Sequence, residues 1–167
     1  CFADNTTTSH SYWSPSFEPK LPISYRTAIE VVREQISDAV KARLVADVPL
    51  GILLSGGVDS SIVAFEAARH GNPKTFTVST GGQLDETSLA AQTASRYGLV
   101  NEVLPLDLDP VASVREMVDA YDQPYADSSA IATMAIAKLA RQHVTVVLNG
   151  DGGDEGFAGY RRYLAAR

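Results

Sequence analysis

The sequence predicts an α/β fold: an open, doubly wound, mostly parallel sheet of about five strands, with helices on both faces. Short segments rich in apolar and β-branched residues alternate with amphipathic segments along the chain. Parallel strands need long crossover connections, and helices are the usual ones. Residues 48–54 form a continuous apolar run, which is typical of a strand that is covered on both faces.

Predicted strands and helices alternate after a first helix at residues 25–47, with two helices in succession before the last strand. In that helix, apolar residues recur at steps of three and four from Ile29 to Leu44, as on the buried face of an amphipathic helix. The predicted strands are 48–54, 75–80, 100–106 and 144–148. The further predicted helices are 60–70, 85–97, one that starts at Asp109 and Pro110, 129–142, and one that starts at Asp154 and runs towards Arg167.

Residues 1–22 are predicted to be an interdomain linker or arm, because they are polar, rich in proline and without a helical or strand period. Residues 23–167 then form one domain, which suits a chain of 167 residues. The chain begins at Cys1 without a methionine and ends at Arg167 inside a predicted helix. We therefore expect it to be part of a longer protein.

Composition and charge exclude several classes of protein. Hydrophobic residues make up 45% of the chain and charged residues 20%, an ordinary globular mixture. A net charge of −6 disfavours binding to a nucleic-acid backbone. The single cysteine, Cys1, cannot form an internal disulfide, and no apolar run approaches the ~20 residues of a membrane span. The expectation is a cytoplasmic protein that binds neither nucleic acid nor a membrane.

The first candidate site is the segment 55–60, Ser-Gly-Gly-Val-Asp-Ser, which joins a predicted buried strand directly to a helix. Glycines allow a tight turn and close approach of a ligand, and the free N–H groups at a helix start bind anions. A phosphate or pyrophosphate suits this arrangement. A Walker A loop would need a lysine, and a Rossmann loop would need Gly-x-Gly-x-x-Gly; neither pattern is present.

Asp59 is the informative residue of this segment, because a carboxylate inside an anion loop repels phosphate unless a cation lies between them. Mg²⁺ binds one or two carboxylates together with phosphate oxygens and meets that need. The structural alternative is that Asp59 only caps the helix.

The second candidate site is the segment 149–155, Asn-Gly-Asp-Gly-Gly-Asp-Glu, which follows the last predicted strand. A solvated turn with capping carboxylates is one interpretation, and a calcium-binding EF-hand loop is a weaker one. Ligands of doubly wound sheets bind beyond the carboxyl ends of the strands, near the switch in strand order. A metal site is therefore the third interpretation, with Asp59 and Asp154 holding one Mg²⁺ between two strand ends.

Segment 55–60 resembles the pyrophosphate loop of the N-type ATP pyrophosphatases, the group that includes the asparagine, GMP, NAD and argininosuccinate synthetases. Segments 150–155 and 159–163 are similar to the second signature of the glutamine-hydrolysing asparagine synthetases, and segment 122–130 resembles their Asp-x-Pro-x-x-Asp segment. Residues 12–15 resemble the link from that family's glutaminase domain. The resemblance implies an adenine nucleotide alpha hydrolase-like fold. Residues 23–167 would be the ATP pyrophosphatase (synthetase) domain, truncated at its C-terminus, with the glutaminase domain absent and the catalytic lysine beyond Arg167.

The resemblance also implies a set of site residues and a reaction. Catalytic candidates for handling the substrate amine or ammonia are Asp151 and Glu155, although both would equally suit a helix start. Metal ligands would be Asp59 and Asp154. The residues that would bind ATP or its pyrophosphate are Leu54, Ser55, Gly56, Gly57, Asp59, Ser60, Val78, Asn149 and Gly150, with Leu54 and Val78 acting through their backbones.

In the implied reaction, ATP and Mg²⁺ are used to convert the aspartate side chain into an adenylate, which ammonia derived from glutamine turns into asparagine and AMP. A homodimer is possible. Three alternatives remain: a β-lactam synthetase-like or other amidotransferase ligase on the same scaffold, a non-catalytic nucleotide-binding domain, and a kinase, which the lack of a P-loop lysine disfavours.

Overall fold

The computed structural model describes residues 2–3, 6–82, 85–107, 109–123, 125, 127 and 129–165. The chain divides into two units, Cys1–Val32 and Arg33–Arg167. In the first unit, strand β1 (Phe2–Ala3) pairs antiparallel with β2 (Thr6–Thr7). The sequence predicted no strand there, because two-residue strands are too short to show an alternating pattern.

The remaining elements largely follow the predicted order. Helix α1 covers Tyr25–Arg43 and ends one residue before Leu44, the last periodic apolar residue, rather than at Asp47. The elements after it are strand β3 (Leu50–Leu53), helix α2 (Val58–His70), strand β4 (Lys74–Ser79), helix α3 (Thr87–Tyr97), strand β5 (Asn101–Pro105), helix α4 (Pro110–Tyr121), helix α5 (Ser129–Arg141), strand β6 (Val146–Leu148), helix α6 (Gly153–Phe157) and helix α7 (Arg161–Ala165).

The main sheet is parallel, and its strand order is β5-β4-β3-β6. The predicted fold class is confirmed, although within the described residues this sheet has four strands rather than about five. The chain moves outward in one direction from β3 to β4 and β5, and then β6 is added on the opposite side of β3. The switch in strand order therefore lies between β3 and β6, the two strands that precede the candidate loops.

Helices cover both faces of the sheet because neighbouring residues of a strand point in opposite directions. Ile52 and Leu54 face one side, and Leu53 faces the other with Phe76, its partner on β4. Residues from α1, α2 and α3 pack with Ile52 and Leu54; they are Val40, Ala64, Ala67, Ala90 and Ala94. On the other face, Leu139 of α5 packs with Phe76, Leu104 and Val144. Small alanines bring these helices close to the sheet.

Residues at the helix ends account for several boundaries. The Asp109 side chain accepts hydrogen bonds from the N–H groups of Val111 and Ala112, and so caps α4 one residue before Pro110. Gly98 ends α3 in the left-handed conformation, with φ of 71°. None of the helices in the described part of the chain is both long and apolar enough to cross a membrane.

The predicted continuous helix from Asp154 towards Arg167 is wrong. Helix α6 ends at Phe157, and Ala158 takes a left-handed conformation with φ of 57° before α7 begins. The N–H of Gly159 donates to the carbonyl oxygen of Asp154 at 3.0 Å, which is a left-handed helix end. Glycines at 156 and 159 weaken any continuation, since glycine costs about 1 kcal/mol relative to alanine inside a helix.

Gly51 is the position in β3 where we expect a side chain to be tolerated least. A Cβ there would lie 2.5 Å from Cε2 and 3.0 Å from Cδ2 of the buried Phe76 ring. Gly51→Ala should therefore lower the free energy of unfolding by about 1–3 kcal/mol, as overpacking does. Urea denaturation measures this. Gly71→Ala is the matched control, because nothing lies within 4 Å of a Cβ at Gly71.

Shortening Phe76 in the Gly51→Ala background separates steric overlap from backbone effects. The double variant Gly51→Ala/Phe76→Leu should be less destabilised than the sum of its single variants, because the smaller side chain makes room for the new methyl group. Strict additivity would show that the overlap with the ring is not the cause.

Candidate functional site

Two loops leave the same edge of the sheet side by side. We call residues 55–57 the first loop and residues 149–152 the second loop. β3 and β6 are hydrogen-bonded neighbours, with Ile52 paired to Leu148, so both loops start at adjacent strand ends. The switch point therefore brings together the two segments that the sequence singled out, which lie about ninety residues apart in the chain.

The first loop closes on itself and on α3 through its backbone N–H groups. The N–H of Ser55 donates to Oγ of Ser60 at 3.2 Å, and the N–H of Gly57 donates to Oγ of Ser55 at 3.1 Å. The two serine hydroxyl oxygens lie 2.8 Å apart. The N–H of Gly56 donates to Oε2 of Glu86 at 3.0 Å. All three loop N–H groups thus have acceptors within the chain, so the loop is preorganised.

The start of α2 offers the donors that the loop does not. Gly57 is the residue before the helix and makes no side-chain cap. In the described part of the chain, no acceptor is found for the N–H groups of Val58, Asp59 or Ser60. These groups lie at the positive end of the helix dipole, where an anion is stabilised. Asp59 lies in the first turn and is not the N-cap, so the structural alternative of a capping Asp59 does not hold in its simple form.

The second loop packs directly onto the start of α2. A Cβ at Gly150 would lie 2.7 Å from the backbone nitrogen of Ser60 and 2.9 Å from Cβ of Asp59. A Cβ at Gly153 would lie 2.5 Å from Cγ of Asp59 and would overlap its carboxylate oxygens. The Asp59 carboxylate therefore rests against the residue that precedes Asp154. At Gly150 only glycine allows this approach, because a side chain would meet the backbone of α2. At Gly153 a side chain would displace the Asp59 carboxylate.

Asp154 lies in the first turn of α6 and is half-buried. Its carboxylate rests against Gly159, where a Cβ would lie 2.9 Å from Cγ of Asp154. The described residues contain no group of three or more His, Cys, Asp or Glu side chains suited to a metal ion. Mg²⁺ on a triphosphate needs only one or two carboxylates, since phosphates and water supply the other ligands. The half-buried carboxylate of Asp59 fits that set of ligands.

The polar residues of the second loop bind one another. Nδ2 of Asn149 donates to Oδ2 of Asp151 at 2.7 Å, and the N–H of Asp151 donates to Oδ1 of Asn149 at 3.3 Å. Asp151 is exposed, and Asn149 fixes its orientation. Its carboxylate is therefore oriented and open to a ligand, as a group that exchanges a proton with substrate should be.

Glu155 is engaged differently from Asp151. The Tyr160 hydroxyl donates to Oε1 of Glu155 at 2.5 Å, which holds the pKa of Glu155 below its ordinary value and raises the pKa of Tyr160 to about 12. The guanidinium of Arg162 lies 4.1 Å from the centre of the Tyr160 ring. Glu155 thus ties α6 to the turn before α7. Of the two catalytic candidates, Asp151 is bound by the amide of its near neighbour Asn149, whereas Glu155 is bound by a hydroxyl from the turn before α7.

Leu54 and Val78 lie at the ends of the central strands β3 and β4. The N–H of Leu54 donates to the carbonyl oxygen of Phe76 at 2.8 Å, and its own carbonyl oxygen accepts from Oγ1 of Thr77 at 2.8 Å. A nucleotide contact through Leu54 is thus limited to the second lone pair of its carbonyl oxygen. Val78 pairs with Leu104 across the sheet and is half-buried.

Sequence reasoning missed two acidic residues at this edge, Asp85 and Glu86. It placed both inside a helix at 85–97, whereas α3 begins at Thr87. The Asp85 carboxylate accepts from Oγ of Ser79 at 2.6 Å, from the N–H of Gly81 at 3.0 Å, and from both the N–H and the hydroxyl of Thr87. Because of these bonds, the pKa of Asp85 is strongly lowered, with the Ser79 hydroxyl as the largest cause. The acid before a helix start was a visible signal for Asp85, but nothing local indicates the contact of Glu86 with Gly56.

The fold and the site together define a class of α/β protein with a glycine loop that leads into a helix at the switch point of its sheet. The fold is similar to that of the NH3-dependent NAD synthetase from Campylobacter jejuni, with a TM-score of 0.50 over 78% of this chain and 60% of that chain. At 16% identity, this likeness concerns the fold alone. The sequence model of the asparagine synthase family matches residues 31–167. The chain therefore belongs to that family.

Curated relatives agree with this membership. The chain is 36% identical over 165 residues to the glutamine-hydrolyzing asparagine synthetase 1 of Bacillus subtilis, covering 96% of this chain and 26% of the relative. It is 34% identical to a putative glutamine-hydrolyzing asparagine synthetase 2 of Methanocaldococcus jannaschii, covering 92% of this chain and 30% of that protein. It is 35% identical to the amidase chyE of Penicillium rubens, covering 92% and 26%. The chain therefore spans less than a third of the length of these relatives.

Gly150→Ala should force the two loops apart, because the new methyl group would meet the backbone of Ser60 and Asp59, which cannot rotate away. We expect a loss of about 1–3 kcal/mol in the free energy of unfolding, measured by urea denaturation. Gly156→Ala is the control from the same region, since a Cβ there meets nothing within 4 Å and alanine favours the helix. Equal stability of the two variants would contradict the close contact between the loops.

Asp85→Asn should destabilise the protein at neutral pH, because an amide has a single oxygen where the carboxylate uses both. The lowered pKa of Asp85 means that its contribution is present above its ordinary pKa of about 4 and is lost as the pH falls through its folded value. The stability difference between the two proteins should thus shrink below about pH 4. Urea midpoints from pH 7 to pH 2.5 test this, and a difference that stays constant or grows would refute it.

Proposed function

We propose that this chain is the ATP-binding core of an amide-forming ligase. In the reaction, ATP activates the side-chain carboxylate of aspartate as an adenylate, and ammonia converts this adenylate into asparagine and AMP. One observation carries the proposal: Gly150 and Gly153 pack against Asp59 and Ser60 at the switch point, beside three N–H groups that have no acceptor among the residues that the structure describes. Membership of the asparagine synthase family supports it.

The donors of α2 account for the binding of pyrophosphate. The N–H groups of Val58, Asp59 and Ser60 would receive the β- and γ-phosphates, with the helix dipole adding attraction. Asp59 and Asp154 would hold Mg²⁺, which supplies positive charge that offsets the phosphates. Without a cation, Asp59 would repel the triphosphate from the donors it stands among. The adenosine would lie beside the ends of β4 and β6, near Val78, Asn149 and Gly150.

The proposed reaction consists of two successive displacements. An oxygen of the aspartate side chain attacks the α-phosphorus, the bond between the α-phosphorus and the bridging oxygen breaks, and pyrophosphate leaves with the electron pair. Ammonia then attacks the carbonyl carbon of the adenylate, and AMP leaves. The attacking nitrogen must lose a proton, and Asp151, oriented by Asn149, is the candidate acceptor. Preorganised N–H donors stabilise the negative charge that develops on the departing pyrophosphate.

The complete reaction needs components outside this chain. The relatives named as glutamine-hydrolyzing are more than three times as long as the segment that they share with this chain. A glutaminase domain would supply ammonia from glutamine, and a homodimer in the cytoplasm is consistent with the proposal. The comparisons define the activated carboxylic acid least, because the amidase chyE matches the chain nearly as well as the synthetases do. A sister ligase that activates another carboxylic acid is therefore the second candidate.

The test is a product analysis on the complete natural protein that carries this sequence. With ATP, Mg²⁺, aspartate and ammonia, we expect AMP, pyrophosphate and asparagine in equal amounts. ADP and phosphate would exclude an ATP pyrophosphatase of any kind. AMP that forms only with another carboxylic acid would assign the protein to the second candidate.

Asp59→Asn should lower kcat/KM by about 100-fold, the scale for one preorganised group that stabilises charge. The variant keeps the shape of the side chain while it removes the charge that would hold Mg²⁺. Asp38→Asn on the exposed face of α1 removes the same charge elsewhere and should leave kcat/KM unchanged. If both variants behave alike, Asp59 has no role in binding the metal and nucleotide.

A further inference from the structure

We propose that Asp85 and Glu86 are positioning residues of the nucleotide site, which fix the first loop and the segment after β4 at the spacing that one ATP molecule requires. This inference rests on the proposed function and deepens it. The two neighbouring residues precede α3. Glu86 binds the first loop, which follows β3, and Asp85 binds the end of the adjacent strand β4 and the segment after it. Both act through backbone and side-chain groups of those loops, and neither is proposed to contact the ligand.

Glu86 anchors the first loop. Its Oε2 accepts the N–H of Gly56, a contact between residues that lie 30 positions apart in the chain. Gly56 is also packed against the first turn of α3: a Cβ there would lie 3.0 Å from Cδ1 of Leu89 and 3.3 Å from Cβ of Glu86. The first loop therefore lies flat against α3. Its hydrogen bond to Glu86 sets the direction in which the chain enters α2.

Asp85 anchors the end of β4. Oδ2 of Asp85 accepts from the Ser79 hydroxyl, in the last residue of β4, and from the N–H of Gly81 just beyond it. Oδ1 accepts from the N–H and the hydroxyl of Thr87 in the first turn of α3. The carboxylate thus joins the end of β4 to the same helix end that holds the first loop. Val78, proposed to lie near the adenosine, immediately precedes the anchored Ser79.

Glu86 and Asp85 hold segments that lie next to two different parts of the proposed ligand, ATP. The first loop leads into the donors for pyrophosphate, and the end of β4 leads to the place proposed for the adenosine. Because α3 holds both, the distance between these subsites depends on Asp85 and Glu86. Such spacing matters for ATP, which must reach both places at once, and matters less for pyrophosphate, which occupies only one.

The hydrogen bond of Glu86 gives the inference a sharp test. Glutamine retains an oxygen that can accept the Gly56 N–H, whereas alanine has no acceptor. We expect Glu86→Ala to weaken the binding of both Mg²⁺-ATP and Mg²⁺-pyrophosphate by about tenfold, the scale of one hydrogen bond to a charged group. Glu86→Gln should stay within about threefold of the wild type, since only the charge is lost. Titration calorimetry on the complete natural protein measures these affinities.

Substitution of Asp85 provides the second part of the test, because Asp85 anchors the segment next to the proposed place of the adenosine. Asp85→Asn should weaken the binding of Mg²⁺-ATP and leave that of Mg²⁺-pyrophosphate within about twofold, since the first loop keeps its anchor. Glu34→Ala on the exposed face of α1 is the charge-matched control and should change neither affinity. Thermal unfolding midpoints of all variants identify any loss of affinity that only reflects loss of folded protein.

Each result decides the question. Wild-type protein that binds neither ATP nor pyrophosphate would refute the proposed function and the positioning role with it. Wild-type binding together with unchanged affinity of Glu86→Ala would refute the positioning role alone. Tighter binding by both Glu86 variants would show that Glu86 competes with phosphate for Gly56. Equal weakening by both variants would show that its charge, and not the hydrogen bond, is what the site requires.

Discussion

The approach of the second loop to the start of α2 is the constraint on which the rest of the site depends. Gly150 and Gly153 lie where a methyl group would meet the backbone of Ser60 and the carboxylate of Asp59. This approach is possible because β6 pairs directly with β3 at the switch in strand order. The sheet supplies the adjacency and the glycines remove the side chains that would prevent contact. The second loop can then lie directly beside the Asp59 carboxylate and the N–H groups at the start of α2.

The electrostatics of this edge favour a ligand that carries both signs of charge. The N–H groups of Val58, Asp59 and Ser60 attract an anion, whereas the carboxylates of Asp59 and Asp151 repel one. A bare phosphate would meet opposing influences, and a bare cation would meet the positive end of α2. The proposed ligand, a nucleoside triphosphate with its divalent cation, would satisfy both sets of groups. The net charge of −6 is compatible with such a ligand, because the donors are local and the cation travels with the phosphates.

Local patterns in the sequence predicted most of the elements, and long-range contacts account for what they missed. The caps at Asp109 and Gly98, the alternation that placed β3 beside α2, and both candidate loops follow from residues within a few positions of one another. The contact of Glu86 with Gly56 spans 30 residues and leaves no periodic signal. The break at Ala158 escaped prediction because alanine rarely adopts positive φ, and here the bond from Gly159 to Asp154 holds that conformation. The pairing of β1 with β2 is too short for any pattern.

A division of labour between the loops follows from how their N–H groups are used. Ser55, Gly56 and Gly57 direct theirs inward, to Ser60, Glu86 and Ser55 respectively, so the first loop has little freedom left to lose when a ligand binds. In the second loop, Asn149 and Asp151 bind each other through hydrogen bonds that are local and exposed. The proposed phosphate donors at the start of α2 therefore follow directly on the rigid first loop. Substitutions at Asn149 and Asp151 should therefore leave the N–H groups at the start of α2 in place, whereas a side chain at Gly150 would meet the backbone of Ser60.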